Sequence, residues 1–178
     1  MAVTLERAER TLMIAILFVF VIMMFYLFQN SMHRFVKEGE LIPPFKIFDV
    51  QQKSYSNNDF QGKVVLINFW TSWCPPCVEE MPSLVEFDKK YKGKGVAVLL
   101  INVNESLESI NKFLKKNNFD SAVYRDVSGE MAKKFGTFKF PESFLVDKKG
   151  ILRKKIIGEL NWMEDNVTNY VEGLLNEK

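Results

Sequence analysis

Hydrophobic and polar positions divide the chain into an apolar head and a patterned body. From Leu12 to Phe28 the sequence reads LMIAILFVFVIMMFYLF, with no charged residue. As a helix rising about 1.5 Å per residue, this run covers about 25 Å, and Thr11 and Gln29 extend it toward the roughly 30 Å hydrocarbon layer of a membrane. No face of it is polar, which argues against a helix in a soluble core. The FQNSMHRF stretch that follows has neither a small-x-small cleavage pattern nor a cysteine for lipidation. The reading is therefore an uncleaved signal anchor rather than a removed signal peptide.

The body alternates strand-like and helix-like patterns. Phe45–Val50 alternates loosely, and VQQKSYSNND after it reads as a turn region. Val64–Trp70 (VVLINFW) and Val96–Ile101 (VAVLLI) are near-continuous apolar runs, the mark of strands covered on both faces. Between them a helix carries Met81, Leu84 and Val85 on one side and stops at Gly93 and Gly95. Ser106 suits the cap of a helix with Leu107, Ile110, Phe113 and Leu114 as its stripe. Ser121–Tyr124 reads as a short strand, and Ser128–Phe135 as a short helix that Gly136 ends. Ser143–Val146 and Ile151–Ile157 flank DKKG as a hairpin. Asn161 is placed as the cap of a last helix with Met163, Val167, Tyr170, Val171 and Leu174 inward and with Glu164 and Asp165 at its positive end. The order β, β, α, β, α, β, short α, β, β, α predicts an α/β domain whose mixed sheet has a parallel crossover first and a hairpin last.

The expected organisation is a short tail (1–10), a transmembrane segment (11–29) in contact with lipid, a polar linker (30–41) and one folded domain (42–178). Nearby positive charges tie, with Arg7 and Arg10 before the apolar run and Arg34 and Lys37 after it. The shortness of the tail favours tail in the cytoplasm and domain outside. The 24 basic and 22 acidic residues leave a net charge of +2. With no basic stripe, this gives no case for nucleic acid. His33, the one histidine, reads as an interfacial residue rather than a metal ligand.

Both cysteines lie in Trp70–Pro82, WTSWCPPCVEEMP. A structural zinc needs about four N or S ligands, and two cysteines with one distant histidine do not supply them. A copper carrier would want a longer cysteine spacing and a nearby histidine. A bridge across two residues restricts the unfolded chain little, so a purely structural staple is unconvincing. A redox centre fits better. Cys74, just before a helix, faces unpaired N–H groups and the positive dipole end, which favour the nucleophilic thiolate. Cys77, one turn on, can attack Cys74 and release a partner. Pro75 and Pro76 are tolerated in a first turn and stiffen it.

With VVLINFWTSWCPPCVEEMP, INVNES at Ile101–Ser106 and FPESFLVDKKGIL at Phe140–Leu152, the chain resembles the thioredoxin superfamily. It is most similar to the membrane-anchored TlpA, ResA and CcmG (DsbE) type of thiol–disulfide oxidoreductase, over about Ile42–Leu175. The resemblance implies a thioredoxin-like fold, with a mixed central sheet flanked by helices and one transmembrane helix before it. It implies catalysis by Cys74 and Cys77, and no cofactor beyond a redox-active Cys74–Cys77 disulfide. Pro141 matches the family's cis-proline beside the sulfurs, against the alternative of a trans proline starting an edge strand. Phe140 would offer backbone groups to a substrate strand. Trp73 either shields the sulfurs and meets partners or packs at the rim. Pro82 falls inside the helix and should kink it.

One departure stands out. Thioredoxins carry a buried aspartate on the strand before the motif, and Asn68 holds that position here. An asparagine cannot relay protons. Glu142, directly after Pro141, resembles the acid of the CcmG-like PET stretch and is then the first candidate for tuning Cys77, with Glu105 the second, while Glu79 and Glu80 read as solvated residues of the first helical turns. A related peroxidase would want proline seven residues before its cysteine, where Ile67 stands.

The implied partners are protein thiols and disulfides, apocytochrome c among them, and a membrane electron-donor thiol protein. The implied place is the bacterial cytoplasmic membrane, with the domain on its outer side. An oxidase or isomerase remains an alternative, because potentials in this superfamily run from about −270 to about −120 mV at one motif spacing. A non-catalytic, redox-sensing binding module is the other.

Overall fold

The computed structural model describes residues 2–31, 35–119 and 121–177. The chain divides between residues 34 and 35 into two compact units. His33 and Arg34, which bear on the interfacial and orientation readings above, lie outside the described residues.

The first unit is one helix, α1 (Ala2–Ser31). Its stretch Arg10–Leu27 is long and apolar enough to cross a membrane, and every side chain in it is exposed.

The second unit is built on a seven-stranded mixed sheet. The strands are β1 (Lys46–Asp49), β2 (Ser54–Ser56), β3 (Val64–Trp70), β4 (Val96–Val103), β5 (Val123–Asp126), β6 (Glu142–Val146) and β7 (Leu152–Ile157), in spatial order β2-β1-β5-β4-β3-β6-β7. β3, β4 and β5 are parallel, and β6 and β7 add antiparallel on the other side of β3. The helices are α2 (Pro75–Tyr91), α3 (Leu107–Lys116), α4 (Glu130–Phe135) and α5 (Asp165–Asn176). A mixed α/β sheet with a parallel crossover and a closing hairpin is what the patterning predicts.

β3 is central and buried along its whole length, as its unbroken apolar run requires. Alternation sends its side chains to two cores. Val64, Leu66 and Trp70 join Cys74, Cys77, Met81, Leu84 and Phe87 of the α2 side, together with Ile110 of α3 and Val167, Val171 and Leu174 of α5. Val65, Ile67 and Phe69 join Phe45, Phe60, Phe144 and the α4 residues Met131, Ala132 and Phe135. Each fully buried Leu or Phe contributes about 1.5–3 kcal/mol. Asn68 is the one polar side chain of β3, and it lies on the α2 face.

Four local expectations are corrected. The turn region after Val50 contains β2 and a 3-10 turn, Asn57–Phe60. Ser54–Ser56 pairs with β1, and Tyr55 packs edge-on against Tyr124 at 5.3 Å, a tertiary contact that a short polar segment does not announce. The last helix starts at Asp165, because Asn161 organises a turn instead of a cap: its Oδ1 accepts from Met163 N–H (3.1 Å) and its carbonyl from Glu164 N–H (3.2 Å). That turn buries Trp162, whose backbone N–H donates to Ser83 Oγ at 3.2 Å. Tyr170 points outward and its hydroxyl donates to Arg153 C=O. Glu80, read as solvated, is buried. In addition, part of the segment assigned to the linker pairs with the domain: Gly39 N–H donates to Leu152 C=O and Leu152 N–H to Glu40 C=O.

Candidate active site

The loop Thr71–Trp73 carries the chain from β3 into α2, and Cys74 is the N-cap of that helix. Its Sγ accepts a hydrogen bond from Cys77 N–H at 3.3 Å, so an otherwise unpartnered first-turn amide is satisfied by sulfur. Pro75 and Pro76 fill the first two helical positions, where no N–H is needed, and both are exposed. The two sulfurs form a disulfide with Cα atoms 5.3 Å apart. Cys74 is 5% exposed and Cys77 is fully buried. A negative sulfur at Cys74 is favoured by the amide and the dipole. Cys77 is shut off from water.

Glu105 holds the entry loop. It accepts from Ser72 N–H (2.7 Å), from Ser72 Oγ (2.5 Å) and from Asn102 Nδ2 (2.6 Å). Its carboxylate is committed to Ser72 and Asn102, which makes it a positioning group for the cysteine loop rather than a partner for Cys77.

The acid the sequence reading missed is Glu80. It stands three residues after Cys77 on the same buried face of α2, with Met81 and Leu84 continuing that face. Oε1 accepts from Asn68 Nδ2 at 2.6 Å and Oε2 from Leu160 N–H at 3.1 Å. Burial pushes the Glu80 carboxyl up to about 7. The Asn68 and Leu160 hydrogen bonds hold it back, and the charge of Glu159 adds to the rise. The Trp162 indole N–H also favours the carboxylate, although it does not meet it in hydrogen-bond geometry. The second Asn68 Nδ2 hydrogen bond goes to Ser143 Oγ at 2.8 Å, and Asn68 Oδ1 has no donor. An amide suits both states of Glu80: its NH2 donates to the carboxylate, and on rotation its oxygen accepts from the acid.

Glu142 does not reach Cys77's side of the sheet. It is paired in register with Phe69, whose ring belongs to the opposite core, and its carboxylate lies 3.1 Å from Lys155 Nζ. The reason is strand parity: Asn68 and Ser143 face α2, so their neighbours Phe69 and Glu142 face away.

The Phe140–Pro141 peptide is cis, and Pro141 C=O accepts from Gly158 N–H at 2.9 Å. The Trp73 indole is 69% exposed and meets the Phe140 ring edge-on at 6.2 Å. Trp73 thus stands exposed beside Phe140, next in sequence to Cys74. Among the described residues, no group of three His, Cys, Asp or Glu side chains is placed to hold a metal ion.

Residues 37–174 match the Redoxin family. The chain belongs to that family. Within it, this Redoxin chain is a thioredoxin-superfamily thiol–disulfide oxidoreductase of the TlpA/ResA/CcmG type. It is 38% identical over 121 residues to the thiol–disulfide oxidoreductase ResA of Bacillus thuringiensis subsp. konkukian, covering 68% of this chain and 70% of the relative. It is 30% identical over 125 residues to ResA of Bacillus subtilis, at 70% of each chain. Among solved structures, a thiol:disulfide interchange protein of the thioredoxin family from Chlorobium tepidum superposes with a TM-score of 0.66 at 27% identity, covering 79% of this chain and 99% of that one. StoA from Bacillus subtilis superposes at 0.62 and 25% identity, covering 77% and 98%. The resemblance read from CPPC and FPESFLVD is therefore correct at the level of fold and enzyme class.

A signal for Glu80 was present in the Redoxin sequence. Cys77, Glu80, Met81 and Leu84 are spaced i, i+3, i+4, i+7, the spacing of one helical face. An acid inside an apolar stripe is a buried acid.

Proposed function

We propose that this oxidoreductase is a membrane-anchored reductase acting outside the cytoplasm on disulfides of protein clients, the haem-binding cysteine pair of apocytochrome c among them. The observation that carries the reading is the pairing of an amide-stabilised, solvent-edge Cys74 with a buried Cys77 that has a buried acid, Glu80, one turn further along the same face. In the reduced enzyme the Cys74 thiolate attacks one client sulfur, and the client's other sulfur leaves as thiolate. Cys77 gives its proton to Glu80 and attacks Cys74 Sγ. The second client sulfur then leaves, so the client gains two electrons and the Cys74–Cys77 pair loses them. A membrane thiol donor restores the dithiol.

The direction rests on electrostatics. A buried, negatively charged Glu80 and the burial of Cys77 both disfavour a thiolate at Cys77. Strong oxidants of this fold owe their potential to a stabilised reduced form. With Cys77 kept as a thiol, only the Cys74 thiolate stabilises the reduced form, so less oxidising power is expected here than in those oxidants. The apolar α1 supports membrane attachment. The ResA relatives support the enzyme class.

The test is the reduction potential of Cys74–Cys77 in the full-length chain in detergent, equilibrated against dithiothreitol or glutathione. A value near or below about −250 mV is expected, and a value near about −120 to −180 mV would assign an oxidase or isomerase instead.

A further inference from the structure

The Lys155 ammonium, on β7, stands where both ends of one loop meet. Its Nζ donates to Gly136 C=O at 3.0 Å and lies 3.1 Å from Glu142 Oε2. Gly136 ends α4 and Glu142 begins β6. Between them run Thr137–Pro141, which contain Phe138, Phe140 and the cis proline. The same Nζ sits 5.2 Å from the ring centroids of Phe138 and Phe144. A single cation therefore ties the loop's two ends and one of its rings to the sheet.

Each end also has a backbone bond, Thr137 N–H to Ala132 C=O (2.9 Å) and Gly158 N–H to Pro141 C=O (2.9 Å), and Lys155 is the side chain that joins the two ends. Glu142 is fully buried, and neither of its oxygens meets a donor in hydrogen-bond geometry. The 3.1 Å contact with Lys155 is ionic, and a buried carboxylate without a counter-charge is strongly disfavoured. At Gly136 the backbone is left-handed (φ 69°), and a Cβ there would lie 2.6 Å from the Phe35 ring. Glycine is required, so the loop's first end carries no side chain of its own to anchor it. On its outer side the loop presents Phe138, 75% exposed, and Phe140, whose ring meets the exposed Trp73 beside Cys74. The Phe140–Trp73 contact brings this loop against the residue that precedes Cys74.

We propose that Lys155 is a positioning residue for client binding. It clamps both ends of the Thr137–Pro141 loop and so holds Phe138 and Phe140 as the aromatic edge that an extended protein segment packs against next to Cys74. This rests on the reading that the clients are protein disulfides. The clamp acts on binding of a chain and not on the sulfur chemistry itself.

The test uses the full-length chain in detergent, with insulin as the protein disulfide and dithiothreitol as reductant. Lys155→Met raises the KM for insulin about fivefold or more while kcat stays within about twofold. Its loss in the reaction with dithiothreitol alone is at least threefold smaller, and Lys155→Arg recovers most of the KM. An unchanged KM, an equal loss in both reactions, or no recovery by arginine overturns the proposal. Should Lys155→Met fail to fold, Lys155→Met/Glu142→Gln removes the buried charge with its partner and is expected to show the same rise in KM. If the unaltered protein does not reduce insulin, the protein-client reading fails separately. The clamp is then read from the Phe138 and Phe140 amide and Trp73 indole resonances. These shift in Lys155→Met and return in Lys155→Arg if the clamp exists, and stay in place if it does not.

Discussion

Asn68 on β3 donates to Glu80 on α2 across 2.6 Å, so the strand position that lacks a carboxylate supports one supplied by the helix. The acid stands on the face of α2 that also carries Cys77. Burial leaves that acid near neutrality, about 7. A base is most effective with a pKa near the working pH.

Glu80→Gln removes the group proposed to take up the Cys77 proton. The rate of client release is expected to fall by roughly 10²-fold at pH 8, the usual worth of a positioned general base. The inflection near pH 7 in the rate profile should vanish with it. Stopped-flow tryptophan fluorescence over pH 5–9 reads both, and an inflection that survives the substitution assigns it to another group.

The same carboxyl makes stability depend on pH. Its pKa is 4.5 in a free glutamate and about 7 in the fold, so the folded chain holds the proton more tightly. Stability is full below about pH 4.5, declines as pH rises toward 7, and is flat beyond. The rise corresponds to roughly 3 kcal/mol lost across that window. Glu80→Gln should therefore be the more stable protein at pH 8 and nearly equal to the parent at pH 4.5. Urea unfolding at the two pH values decides it, and equal stability at pH 8 would show that the ionised form is well solvated.

Asn68→Asp sets a second carboxylate against Glu80. Two acids at that distance cannot both ionise, so one of the pair titrates still higher. The rate inflection is expected to move above 7, and Tm at pH 8 to fall by several degrees with little change at pH 5. A rate profile and Tm that match the parent at both pH values would mean that the two side chains part in solution.

Cys74→Ser should abolish exchange, whereas Cys77→Ser should accumulate mixed disulfides through Cys74, visible on non-reducing gels. Trapping by Cys74→Ser alone would reverse the roles of attacker and resolver.

Much of this was legible beforehand. The strand–CPPC–helix junction needs only an apolar run, two prolines at helix-start positions and the stripe of Met81, Leu84 and Val85. The departure at Asn68 was also visible, since a polar residue interrupts an otherwise apolar β3. The choice of acid was not. Glu142 looked closest because it follows Pro141, yet sequence adjacency says nothing about which side of a sheet a residue faces. That side is set by register: Glu142 opposite Phe69 and Ser143 opposite Asn68. Glu80 was dismissed by its place in an early helical turn, although its spacing from Cys77 put it on the buried face.

What the sequence alone determined are the features of short range: an apolar helix, the elements of an α/β domain, and two cysteines held by a helix start. These follow from periodicity and from backbone groups that a helix end leaves unpaired, and both act over a few residues. Only the tertiary structure decided which carboxylate meets Asn68, which core receives Glu142, and that Lys155 joins Gly136 to Glu142. Those pairings join residues far apart in sequence, and strand register and the packing of helices on the sheet settle them only when the whole domain closes around its two cores.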